Sequence, residues 1–294
     1  MLLFQERDFG EKINATFAYA TQNFRSLTLA LLYIAGPAAL LAGIAEGVLQ
    51  SNLLTKQNPL GQSIPSGNDQ MGIIYNGPLL VILLTNILKL TANLIASLVV
   101  YSHFKLYSQS GSTFINAGAV WHEVLSVLGR SLWIAFLSFW LVLIGIFLML
   151  VPGIYIGVVL SLALPVTVFE KAGPGNVITR CFQLIANKWW STFGLIVIVA
   201  LIVIILGLGF TIPTILIQMF TAMELLPEMP SVVMVLTNAI STIGVTFLSG
   251  LIALAIGFQY FNLVERHEGT GLLAAIDTIG TSPTRPTAQD EGDY

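Results

Sequence analysis

One lysine stands in the middle of an otherwise apolar stretch. Lys89 lies within Pro78–Tyr101, and an ionisable side chain at that depth in a membrane segment is a candidate site for an ion, a proton or a polar substrate. Asn86, Lys89, Asn93 and Ser97 recur at i, i+3, i+7 and i+11, which places them on one helical face. Two later apolar segments carry stripes of their own: Asn238, Thr242, Thr246 and Ser249 in one, Thr211, Thr214 and Gln218 in the other. Together these groups could line a polar path through the membrane. They could equally be interhelical hydrogen-bond partners, each contributing about 0.6 kcal/mol, with Lys89 extending its amine towards the surface. Glu46 is the candidate partner for Lys89.

A second set lies around Lys171-Ala-Gly-Pro-Gly-Asn176. Glu170 and Arg180 flank this break and could form an ion pair that fastens one helix to the next. Alternatively Arg180, with Lys171 and Lys188, could grip anionic lipid headgroups. Trp189 and Trp190 suit the headgroup layer. His103, His122 and His267 lack the spacing of a zinc hydrolase. There is no Gly-rich phosphate loop, Gly-x-Ser-x-Gly elbow or buried carboxylate pair. No catalytic residues, metal or cofactor are therefore expected, and the chain does not read as an enzyme.

Composition says which elements must hold these residues. Hydrophobic residues make up 55% of the chain and charged residues 9%, against roughly 25% charged in a soluble domain. The chain reads as all-α, a polytopic helical membrane bundle. A net charge of −3 gives no footprint for nucleic acid. The single cysteine, Cys181, rules out an internal disulfide. Six transmembrane helices are expected over 27–49, 78–101, 131–150, 153–169, 193–220 and 231–259, with a kink at Gly36-Pro37 and the last helix running on past the membrane. Residues 50–77 read as an exposed loop. The domains are an N-terminal amphipathic segment (1–26), the membrane domain (27–270) and a largely disordered tail (271–294). The segment before the first apolar run is too long and too acidic for a signal peptide.

Arg7, Lys12, Arg25, Lys105, Arg130, Lys171, Arg180, Lys188, Arg266 and Arg285 all fall on one side of this topology, and Lys56 on the other. The positive-inside rule then places both termini in the cytoplasm. Amphipathic segments before spans one, three and five are expected on that side. The best of them puts Val177, Ile178, Cys181, Phe182, Leu184, Ile185 and Trp189 on one face, with Asn176, Thr179, Arg180, Gln183 and Asn187 opposite. Shared spacing suggests three helix–hairpin repeats (Ile13, Phe17 and Phe24; Ala117, Trp121 and Leu128; Ile178, Phe182 and Trp189), though any amphipathic helix before a span gives a similar match.

The order Pro152-Gly-Ile-Tyr155, Pro165 with Glu170, Arg180 on an amphipathic helix ending at Trp190, then Tyr260, Leu263 and Arg266 resembles the membrane domain attached to some bacterial glycerophosphoryl diester phosphodiesterases. The likeness is clearest over about 150–270. It implies a bacterial cytoplasmic-membrane location and the fold alone, because the activity of such enzymes resides in a separate barrel domain. Asn262 stands where an acidic residue would be expected. The expected function is a non-enzymatic scaffold for membrane lipids or a protein partner, of undetermined oligomeric state. The alternative is a transporter or lipid-handling protein with its path around Lys89.

Overall fold

The computed structural model describes residues 3–57, 78–111, 114–223, 225 and 230–269. The tail and residues 58–77 of the expected loop lie outside them. Residues 50–57 are not loop but the last turns of a helix.

Every regular element among the described residues is helical, and together they form an all-α polytopic bundle. In chain order these are α1 (Phe9–Gln22), α2 (Phe24–Ala30), a π-turn (Leu31–Ala35), α3 (Gly36–Gln57), α4 (Pro78–Ser110), α5 (Ala117–Leu148), α6 (Leu150–Leu160), α7 (Ala163–Glu170), α8 (Pro174–Ile185), α9 (Trp189–Ala222) and α10 (Ser231–Glu268). Six helical stretches are long and apolar enough to cross a membrane: Phe24–Ser51, Leu79–Ser110, Ala117–Leu148, Leu150–Glu170, Trp189–Thr221 and Ser231–Glu268.

Local chemistry accounts for the interruptions. The expected kink at Gly36-Pro37 is there as the π-turn just before it, since a proline cannot donate to the preceding turn. Pro165 acts in the same way on Ser161, its i−4 neighbour, and the helix breaks at Ser161-Leu162 between α6 and α7. Lys171 (φ 51°) and Asn187 (φ 61°) adopt the left-handed conformation on either side of α8 and turn the chain onto the surface and off it again. The expected surface helix before the third span is not a separate element. Gly111 (φ 61°) ends α4, Asn116 caps α5 by accepting from the Gly118 N–H at 3.0 Å, and α5 then runs unbroken through Arg130. No proline lies between Ala117 and Leu148 to stop it, and the isolated Gly129 at the expected boundary is tolerated within the helix.

Two kinds of packing hold the bundle. Gly43 and Gly47 let α3 lie against α10: a Cβ on them would fall 2.6 Å from Ala239 Cα and 2.5 Å from Val235 Cα. This is the small-xxx-small contact of membrane helices. At the opposite end, which carries α1, α8 and the basic side chains, the core resembles that of a soluble protein. Tyr19, Phe104, Phe258 and Phe261 are almost wholly buried, with ring centroids 4.5 Å apart for Tyr19–Phe104 and 5.1 Å for Phe104–Phe258. We call this end the basic face.

Candidate functional site

The polar side chains gather at three levels. At the end far from the basic face, Lys89 Nζ lies 2.8 Å from Glu46 Oε2. The Gln50 amide donates to Glu46 Oε1 at 3.0 Å. The Gln50 oxygen in turn accepts from Asn238 Nδ2 at 2.9 Å and from Gln218 Nε2. One hydrogen-bonded chain thus ties α4, α3, α9 and α10, and brings together Lys89 and Asn238 from the predicted set. Asn86 is not part of it: its amide returns to the Ile82 carbonyl of its own helix at 2.8 Å and the residue is exposed. Thr242 packs against Gly43.

Further along the α4 stripe, Asn93 and Ser97 line a cavity of about 310 Å³ with Ser138, Ser161 and Ser249. The break between α6 and α7 places Ser161 there. The Ser138 hydroxyl is buried with no hydrogen-bond partner among the described residues.

The basic face carries the expected ion pair and more. Arg180 Nε donates to both oxygens of Glu170 at 3.1 and 3.2 Å, and its Nη2 donates to Glu268. The Tyr260 phenol donates to Glu170 Oε1 at 3.1 Å while its ring stacks on Phe169. Two carboxylates therefore occupy Arg180. Lys171 is exposed and contributes its carbonyl to Arg130 Nη1 at 3.2 Å. Beside Lys188, Trp190 is 78% exposed. Trp189 does not point into the headgroups as a free anchor; it lies stacked between Tyr155 and Phe193.

Two buried contacts were not expected from the sequence. Lys12, nearly fully buried, donates to Gln259 Oε1 at 2.8 Å and to Ser191 Oγ at 3.1 Å. Gln259 passes its own N–H to Thr192 at 2.8 Å. Burial lowers the Lys12 pKa, the positive charges of Lys188 and Arg266 lower it further, and Asp8 opposes them. The sequence pattern puts Phe9, Ile13 and Phe17 on the apolar face of α1 and Lys12 off it, whereas the buried face runs through Lys12, Ala15, Thr16 and Tyr19. The second contact is the wholly buried His103, held by Tyr19 Oη at Nδ1 (2.8 Å) and Ser26 Oγ at Nε2 (3.0 Å). The Ser26 hydroxyl also donates to the Asn23 carbonyl at 3.2 Å. The tautomer is therefore assigned with Nε2–H donating to Ser26 and Nδ1 accepting from Tyr19.

In the comparisons with known proteins, no family model matches the chain, and no curated protein or solved structure matches it.

Proposed function

We propose that the protein is a non-enzymatic scaffold of the bacterial cytoplasmic membrane, with both termini in the cytoplasm, that organises lipids or a protein partner at the basic face. One observation carries this reading: α1 and α8 are fixed to the bundle by polar contacts, Lys12 to Gln259 and Arg180 to Glu170, yet each presents exposed side chains outward. On α8 these include Asn176, Thr179, Phe182 and Gln183, followed by Trp190, a mixture suited to the headgroup layer. With Arg180 held by two carboxylates, lipid contact falls to Lys171 and Lys188. The motif likeness to the phosphodiesterase membrane domain supports the same reading, with Arg180 and Tyr260 both hydrogen-bonded to Glu170.

The cavity along Asn93 and Ser97 favours a second reading, a transporter or lipid-handling protein. Mass spectrometry of the protein released from native-lipid nanodiscs, beside Lys89→Ala, separates the two. A protein partner or lipid set retained equally in both supports the scaffold. A lipid or solute lost only from Lys89→Ala overturns it in favour of a path.

A further inference from the structure

Helices α5 and α6 form an antiparallel pair that turns at Met149. Their tips touch closely, for a Cβ on Gly145 would fall 3.0 Å from Gly153 Cα. Phe147, Leu148, Met149, Leu150 and Val151 expose between 64% and 91% of their surface. From Leu141 to Ile154 no side chain is polar. Two backbone hydrogen bonds and a proline reduce the number of unpaired groups at the turn. The Met149 N–H donates to the Gly145 carbonyl at 3.0 Å, the Met149 carbonyl accepts from Gly153 at 3.3 Å, and Pro152 has no N–H to satisfy. Each group paired in this way lowers the cost of placing the turn in hydrocarbon.

The reach of the hairpin is set by one contact. Tyr155 is six residues past the turn. Its ring stacks on Trp189 with centroids 5.7 Å apart, and its carbonyl accepts from Trp189 Nε1 at 3.3 Å. Six residues of helix span about 9 Å. The tip therefore lies about 9 Å beyond that contact at most. Helix α9 continues from Trp189 through 34 residues, or about 50 Å, and the hydrocarbon core of a bilayer is about 30 Å thick. Length and composition would let α5 cross; the Tyr155–Trp189 contact holds its tip well short of the far end of α9. The hairpin opens at the basic face, where Arg130 and Lys171, before and after it, meet.

We propose that α5 and α6 form a re-entrant hairpin that enters from the basic face and turns at Met149 among the acyl chains of the leaflet on that side. Its partner is the lipid of one leaflet. Both ends of the hairpin stay on the basic face, so the sidedness of the termini is the same as for a hairpin that crosses. The placement is independent of the scaffold reading and holds for a transporter as well.

Single cysteines test it in the full-length protein, in bilayers and in a Cys181→Ala background. Phe147→Cys and Val151→Cys report on the tip, Leu225→Cys on the far side and Lys171→Cys on the basic face. With a membrane-impermeant maleimide applied to each side in turn, Leu225→Cys and Lys171→Cys should label from opposite sides. Both tip variants should show loss of labelling from either side at unchanged abundance. A nitroxide on Phe147→Cys should collide with dissolved oxygen and not with a water-soluble nickel chelate. Labelling of the tip from the side that labels Leu225→Cys would show a full crossing and overturn the proposal. Labelling from the Lys171→Cys side would overturn it too, by putting the tip among headgroups.

Discussion

The Lys12 ammonium lies 2.8 Å from the Gln259 amide oxygen, a contact between residues 247 apart that fastens the first helix to the last. Among the described residues no carboxylate stands within ion-pair distance of it. Its hydrogen-bond partners are neutral oxygens, and burial, Lys188 and Arg266 together outweigh Asp8 in favouring its neutral form. The folded pKa is therefore below the usual 10.5, and between the two values the unfolded chain binds more protons. Stability should rise with pH across that window.

Lys12→Met isolates this contribution. The aliphatic stem is kept, but Gln259 and Ser191 lose a donor, at a cost of about 1–3 kcal/mol. Thermal unfolding in detergent at neutral and at moderately alkaline pH should show an alkaline gain in the wild type that is smaller in Lys12→Met. An equal gain in both would assign it to other groups.

The Arg180 network should contribute little despite its geometry. Arg180 exposes 24% of its side chain and Glu170 28%, so water screens the pair, and a double-mutant cycle should give a coupling of about 0.5–1 kcal/mol. A coupling several times larger would mean that lipid or a partner covers the site.

Cys181 should be inert in the folded protein. Burial chiefly, with the nearby Glu170, pushes its thiol up to about 12, and only the thiolate is nucleophilic. Alkylation in mildly alkaline buffer should appear only after denaturation; rapid alkylation of folded protein would show that α8 lifts off the bundle.

Legibility followed the range of the interaction. The apolar helices, the kink at Gly36-Pro37 and the Glu170–Arg180 pair rest on short-range patterns, and all are present. The partnership of Lys89 with Glu46 was readable because both are charged residues in neighbouring apolar segments. Lys12–Gln259 and Tyr19–His103 were not, since contacts between neutral or lone polar groups far apart in sequence leave no local trace. Gly43-x-x-x-Gly47 does leave one, a short-range close-packing motif that the chain's many other glycines obscure.

That motif supplies a contrast. Gly43→Ala and Gly47→Ala put a methyl group against the backbone of α10, which cannot give way without separating the helices, so each should destabilise by about 1–3 kcal/mol. Gly10→Ala on α1 meets nothing within 4 Å and should stabilise by about 0.5–1 kcal/mol. Chemical denaturation of the three variants checks both signs.

The Lys89–Glu46 pair distinguishes a structural tie from a working site. The side chains are 35% and 19% exposed, so removing one partner leaves a partly desolvated charge. Glu46 also accepts from Gln50, and its loss frees an amide that helps hold Asn238 and Gln218. Glu46→Ala should therefore cost more than Lys89→Ala, with each about 1–3 kcal/mol. Replacing both by apolar residues of similar size, as in Lys89→Met with Glu46→Leu, should cost less than the sum of the single changes, because no unpaired charge remains. If stability follows that order and solute or lipid uptake by reconstituted vesicles is unchanged, the pair holds α3 against α4 and nothing more. If Lys89→Ala abolishes uptake at normal stability, the polar chain is part of a path, and the scaffold reading fails.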